Sequence, residues 1–111
     1  MEKLSSKLGL HNGCLIHYCP GCENIHKIPV FGDYSTLWQM EGTVNSPTVS
    51  PSVKHQYSKE VDGNIVIFVQ CHYILTKGLL NFGTNDNPHK YNNQVILLPD
   101  IPEQYWPKRG N

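Results

Sequence analysis

Four cysteines and six histidines are the side chains of this 111-residue sequence best suited to chemistry, and three of the cysteines fall into a pattern. Cys19-Pro20-Gly21-Cys22 puts a proline and a glycine between two thiols. Such a tight turn lets both sulfurs face one ion at about 2.3 Å. Redox dithiols use the same spacing, but they open a helix in a βαβ context and nothing helical follows Cys22, so the pattern favours a zinc knuckle. A structural zinc takes four ligands. Cys71, in a well-formed hydrophobic segment, is the expected third. For the fourth, His89 ranks ahead of His72 and His26. If Cys71 and His72 share a strand, their side chains point to opposite faces. His89 instead follows the loop Asn85-Asp86-Asn87-Pro88, which can fold back on the hairpin, with Asp86 as a carboxylate able to orient the ring. His11, His17 and His55 read as surface or half-buried histidines without a metal role, and Cys14, in Cys14-Leu15-Ile16, as a buried, unreactive thiol.

The elements that must position these residues read as strands. Cys14 to Tyr18 and Ile25 to Val30 flank the Cys-Pro-Gly-Cys turn as a hairpin. A third strand is expected at Leu37 to Met40. Pro47 to Val53 is an edge strand or ordered loop, because its prolines exclude a helix and a central place in a sheet. Ile65-Val66-Ile67-Phe68-Val69, β-branched and aromatic after the Asp62-Gly63 turn, is the strongest strand signal and continues through Cys71 towards Leu75. Lys77-Gly78 turns the chain back into Leu79 to Phe82, and Gln94 to Leu98 makes a last strand. The expected architecture is mainly β: a small single-domain antiparallel fold with a zinc-ribbon-like Cys-Pro-Gly-Cys hairpin. Residues 1–12 are expected to be flexible or a short helix, and residues 13–111 to form the zinc-binding domain with an extended C-terminal tail.

Nine basic and nine acidic side chains cancel, at a sequence pI near 7. No overall field draws in phosphate backbones or anionic lipid, so nucleic acid and membrane are disfavoured as partners. No run approaches the roughly 18 apolar residues of a bilayer span, and Met1 to Leu10 lacks the apolar stretch of a signal peptide. The expected location is the cytoplasm, where reducing conditions favour clustered thiols as metal ligands over disulfides.

From about Tyr18 to Pro99 the sequence resembles a family of short, functionally uncharacterised zinc-knuckle proteins of tailed phages and prophages. The resemblance rests on Cys19-Pro20-Gly21-Cys22 followed by His26, on Trp38 with Gly42 beyond it, and on Pro47-Thr48-Val49-Ser50-Pro51-Ser52. It continues through Cys71-His72 ahead of Gly78, Asp86-x-x-His89, and Gln94 leading into Leu98-Pro99; Lys90-Tyr91-Asn92-Asn93 departs from the small residues usual there. It implies a phage origin, hence a host-cell cytoplasm, and a zinc-like cluster.

It also draws attention to polar residues that a structural zinc does not need: His26, Thr48, Ser50, Ser52, His72 and Asp86. In one reading they bond the fold to itself. In the other they line a pocket for a small anionic or nucleotide-like ligand. The function expected is a zinc-binding phage accessory protein, a binding module for a host protein or small ligand, with counter-defence as a role. The alternative is a zinc-dependent hydrolase with His72 or Asp86 as general base. Three thiolates leave zinc a poor Lewis acid, which favours binding over hydrolysis. Serine chemistry ranks lower still, since no serine lies in a Gly-x-Ser-x-Gly elbow.

Overall fold

The computed structural model describes residues 1–83 and 90–107. The strands are β1 (Glu2–Lys3), β2 (Gly9–His11), β3 (Cys14–Cys19), β4 (Asn24–Pro29), β5 (Gln39–Gly42), β6 (Pro47–Ser50), β7 (Val53–Val61), β8 (Asn64–Thr76), β9 (Leu79–Phe82) and β10 (Val95–Leu97). One short 3-10 turn follows at Glu103–Tyr105. The fold is mainly β and antiparallel, as the sequence predicts: one sheet runs β1-β2-β3-β4, a second β10-β9-β8-β7, and β5 pairs with β6. No helix among the described residues is long and apolar enough to cross a membrane.

Three two-residue turns build these sheets. Asn12-Gly13, Asp62-Gly63 and Lys77-Gly78 all have positive φ at both residues, and they join β2 to β3, β7 to β8 and β8 to β9. Such turns match the right-handed twist of the strands they connect. Residues 1–12 therefore differ from the expected flexible or helical segment: β1 and β2 extend the first sheet, with Leu10 opposite Leu15 and Leu8 wholly buried.

The main core lies where the two larger sheets meet. Leu8, Leu15, Cys19 and Ile28 pack there against Val53, Cys71, Tyr73, Leu75, Leu80 and Phe82, with Val49 from β6. Burial of each large aliphatic or aromatic side chain contributes about 1.5–3 kcal/mol. Strand alternation sorts the faces. In β3, Leu15 and Cys19 face this core, whereas Cys14 and Ile16 join Ile101 in a smaller cluster behind the sheet. In β8, Cys71, Tyr73 and Leu75 are buried, whereas Ile74 on the other face is exposed. The β7–β8 ladder shifts register between His55 and Gln56, so Cys71 stands opposite His55 and His72 opposite Lys54.

Candidate metal centre and serine–histidine pair

Cys19 ends β3, Cys22 closes the tight turn, His26 lies on β4 and Cys71 on the core face of β8. Their ligand atoms lie within 4.8 Å of one another, an arrangement compatible with a metal site. All four cysteines are free thiols, and Cys14 stands apart from the cluster, bonded to the Tyr34 hydroxyl at 3.3 Å. The Cys19 and Cys71 sulfurs are 3.9 Å apart, and the Cys22 amide donates to Cys19 Sγ at 3.4 Å.

The electrostatics of the donors fit a cation. Hydrogen bonds from Cys22 and Cys71 pull the Cys19 thiol well below its ordinary range, against the opposing effect of burial. The same bond to Cys19 pushes Cys22 up to about 11, and the bonds to Cys19 and Cys22, with burial, push Cys71 up strongly. The three thiols are thus coupled, each ionisation opposing the next, and a positive charge among them would favour the thiolate forms. His26 is buried with its Nε2 unpartnered. A buried imidazole nitrogen without a partner is costly, and one of the two ring nitrogens lies within reach of the three sulfurs.

Among the described residues, His26 is the histidine that stands with the three cysteines, whereas His89, the expected fourth ligand, and Asp86 lie outside the described residues. The separation of Cys71 from His72 by strand alternation holds, since β8 continues through both.

Behind the cluster lies a histidine–tyrosine group that the sequence reading missed. His17, expected at the surface or half-buried, is completely buried, and its Nε2 lies 2.6 Å from the Tyr73 hydroxyl. His55 Nε2 reaches the same hydroxyl at 3.1 Å, and its ring stacks on His26 at 3.9 Å. Burial, aided by His26, lowers His17 to about 4; burial, then His26 and His17, lowers His55 to about 3. Both rings are neutral at physiological pH. The register supplies the signal: His17 pairs with His26 and His55 with Cys71, which aims three imidazoles at one place.

The outer face of β8 carries a different arrangement. Val53 pairs with Tyr73 and Lys54 with His72, so Ser52, just before β7, stands diagonally across from His72 on the solvent side. Ser52 Oγ lies 3.3 Å from His72 Nε2. The indole Nε1 of Trp38 donates to the Ser52 carbonyl at 3.2 Å. A hydroxyl beside an imidazole nitrogen on an accessible surface has the composition of a nucleophile and its general base, and such bonds are commonly long before substrate arrives.

The expected polar pocket is therefore divided. Ser52 and His72 come together, but His26 belongs to the buried cluster on the opposite side of β8. Thr48 Oγ1 accepts from the Lys77 amide at 2.9 Å, and Ser50 lies exposed on β6 opposite Gln39. These residues come from different strands, His26 from β4, Thr48 and Ser50 from β6 and His72 from the outer face of β8, and each strand directs its own side chains.

Residues 3–82 match a family model described as "Bacterial ubiquitination-like system serine protease (BubE)". Searches of the curated proteins and of the solved structures returned no match. The matched span contains the whole Cys/His cluster together with Trp38, Ser52 and His72. It overturns the expectation of a non-enzymatic phage binding module, and the alternative of a zinc-dependent hydrolase with it, because the family description names a serine as the reacting group. The family named is one of a bacterial ubiquitination-like system rather than the phage family that the sequence resembles. The match covers more than two thirds of the 111 residues, and the chain belongs to this BubE serine protease family.

Proposed function

We propose that this chain cleaves peptide or isopeptide bonds in a bacterial ubiquitination-like system, with Ser52 as nucleophile and His72 as its general base. The observation that carries the reading is the 3.3 Å approach of Ser52 Oγ to His72 Nε2 on the outer face of the second sheet. In the reaction, Ser52 Oγ attacks the scissile carbonyl while His72 Nε2 accepts the hydroxyl proton. His72 then passes that proton to the departing amine, leaving an acyl-serine. Water, deprotonated by the same imidazole, attacks the ester and releases the acid. The ion suited to Cys19, Cys22, His26 and Cys71 is zinc, since three thiolates and one imidazole form a closed tetrahedral set. Such an ion would supply cross-linking rather than chemistry, and the residues that would hold it lie across β8 from the serine. The same outer face exposes Ile74, Leu79 and Leu97, apolar ground on which a substrate chain can lie beside His72.

A fluorophosphonate probe, which modifies activated serine hydroxyls, tests the reading. The expected adduct, located by peptide mass spectrometry, is on Ser52; it disappears in Ser52→Ala, falls steeply in His72→Ala and persists in Ser50→Ala. Folded, zinc-loaded protein that leaves Ser52 unmodified refutes it.

A further inference from the structure

Ser52 sits at a junction with little ladder of its own to hold it. It follows Ser50, the last residue of β6, and Pro51, which has no amide hydrogen, and it precedes Val53, the first residue of β7. A nucleophile must keep its oxygen within a fraction of an ångström of the base and of the incoming carbonyl, and a segment lacking regular pairing does not provide that by itself.

Trp38 supplies two fixed points. Its backbone amide donates to the Pro29 carbonyl at the end of β4, at 2.8 Å. Its indole Nε1 donates to the Ser52 carbonyl at 3.2 Å. The half-buried ring also packs against the main core. The residue thus spans, by backbone and side chain together, from the strand that carries His26 to the residue that carries the nucleophile. An indole N–H is donor-only, so it can hold a carbonyl without competing for the Ser52 hydroxyl or for His72.

We infer that Trp38 is a positioning residue for the nucleophile: its indole N–H fixes the Ser52 backbone so that Oγ stays on the His72 ring, and it ties that position to the Cys/His hairpin through Pro29. This rests on the proposed serine chemistry. Trp38 touches neither substrate nor the reacting atoms; its effect is exerted through the Ser52 carbonyl. Loss of the N–H should therefore change the rate at which Ser52 reacts, with little change in how substrate binds or how firmly the domain folds.

The test replaces Trp38 site-specifically with benzothienylalanine, which keeps the bicyclic shape but carries sulfur in place of the N–H, alongside Trp38→Phe. Measured on zinc-loaded full-length protein are the fluorophosphonate labelling rate of Ser52, kcat and KM on a chromogenic peptide ester, zinc content and melting temperature. The expected result is a fall of about 10- to 100-fold in labelling rate and kcat, with KM, zinc content and melting temperature near those of the parent. Labelling and kcat within twofold of the parent for the benzothienyl variant overturn the positioning role. So does a loss that only tracks a lowered melting temperature in both variants. If Ser52→Ala labels as fast as the parent, the serine assignment itself has failed and the positioning role falls with it.

Discussion

Removing the metal should cost this domain a large part of its stability, and the size of the loss follows from where the ligands lie. Cys19 and Cys71 are 52 residues apart in sequence, and an ion bonded to both closes that loop in any state that retains it. Treated as a covalent cross-link, a loop of that length corresponds to about 4 kcal/mol of chain entropy. His26 and Cys22 add shorter closures within the β3–β4 hairpin. A domain of this size has a total stability of about 5–15 kcal/mol, so loss of the ion or of Cys71 should leave it marginal or unfolded at 37 °C. The assay is urea unfolding followed by tryptophan fluorescence and far-UV circular dichroism, with and without a strong chelator, on the parent and on Cys71→Ser and Cys14→Ser. Chelation and Cys71→Ser should each lower stability by about 4 kcal/mol or more, and the two should not add, because each removes the same cross-link. Cys14→Ser should cost less, about 1–2 kcal/mol for a small buried thiol outside the cluster. Parent protein whose midpoint is unchanged after complete removal of bound metal would refute the reasoning, as would full additivity of chelation and Cys71→Ser.

Four further outcomes are expected. His26→Ala should release zinc as readily as Cys22→Ser does, measured by elemental analysis, whereas His89→Ala should retain it; the reverse ranking would return the fourth ligand to His89. Tyr73→Phe deletes the hydroxyl shared by His17 and His55 and leaves a ring nitrogen of the buried His17 and one of the half-buried His55 without that partner. Its cost should be about 2–4 kcal/mol in denaturant unfolding, and a loss below about 0.5 kcal/mol would mean that water replaces the hydroxyl. Gly13 and Gly63 have nearly equal positive φ, but a Cβ on Gly13 collides with the Phe31 carbonyl oxygen whereas one on Gly63 meets nothing within 4 Å. Gly63→Ala should cost about 1 kcal/mol and Gly13→Ala at least 2 kcal/mol more in melting experiments, since only the second adds a backbone collision to the backbone strain. Leu97→Glu, on the outer face but away from Ser52 and His72, should raise KM for a protein substrate with kcat nearly unchanged; an unchanged KM would show that substrate does not lie on that ground.

The fold was legible in the sequence wherever a local signal and its physical cause coincided. The β-branched run of β8 and the Asp62-Gly63 and Lys77-Gly78 turns all specify the strands and hairpins found. The N-terminal strands were missed although Asn12-Gly13 is the same kind of signal, because β1 and β2 are short and polar and gain their order from pairing with β3 rather than from their own pattern. The site divides in the same way. Cys19 and Cys22 declare themselves by spacing, and His26 belongs to the same local hairpin, but bringing Cys71 to them depends on a contact across 52 residues that no local window contains.

Ser52 illustrates the limit most clearly. Its sequence neighbours, Pro51 and Val53, give it none of the features of a nucleophile elbow, and its partner lies 20 residues away. It meets its partner because β7 and β8 pair with Val53 opposite Tyr73, which turns Ser52 and His72 outwards together. The same alternation turns Cys71 inwards to the Cys/His cluster. One strand therefore serves two purposes on its two faces, and a one-residue slip of β8 would exchange them, presenting Cys71 to the serine and His72 to the cluster. A metal cross-link at Cys71 would oppose that slip: an ion holding Cys71 against Cys19, Cys22 and His26 would fix the register that places His72 beside Ser52. A metal held there would thus reach the chemistry by two routes: through β8, by deciding which face of the strand the base occupies, and through Pro29 and Trp38 to the Ser52 carbonyl.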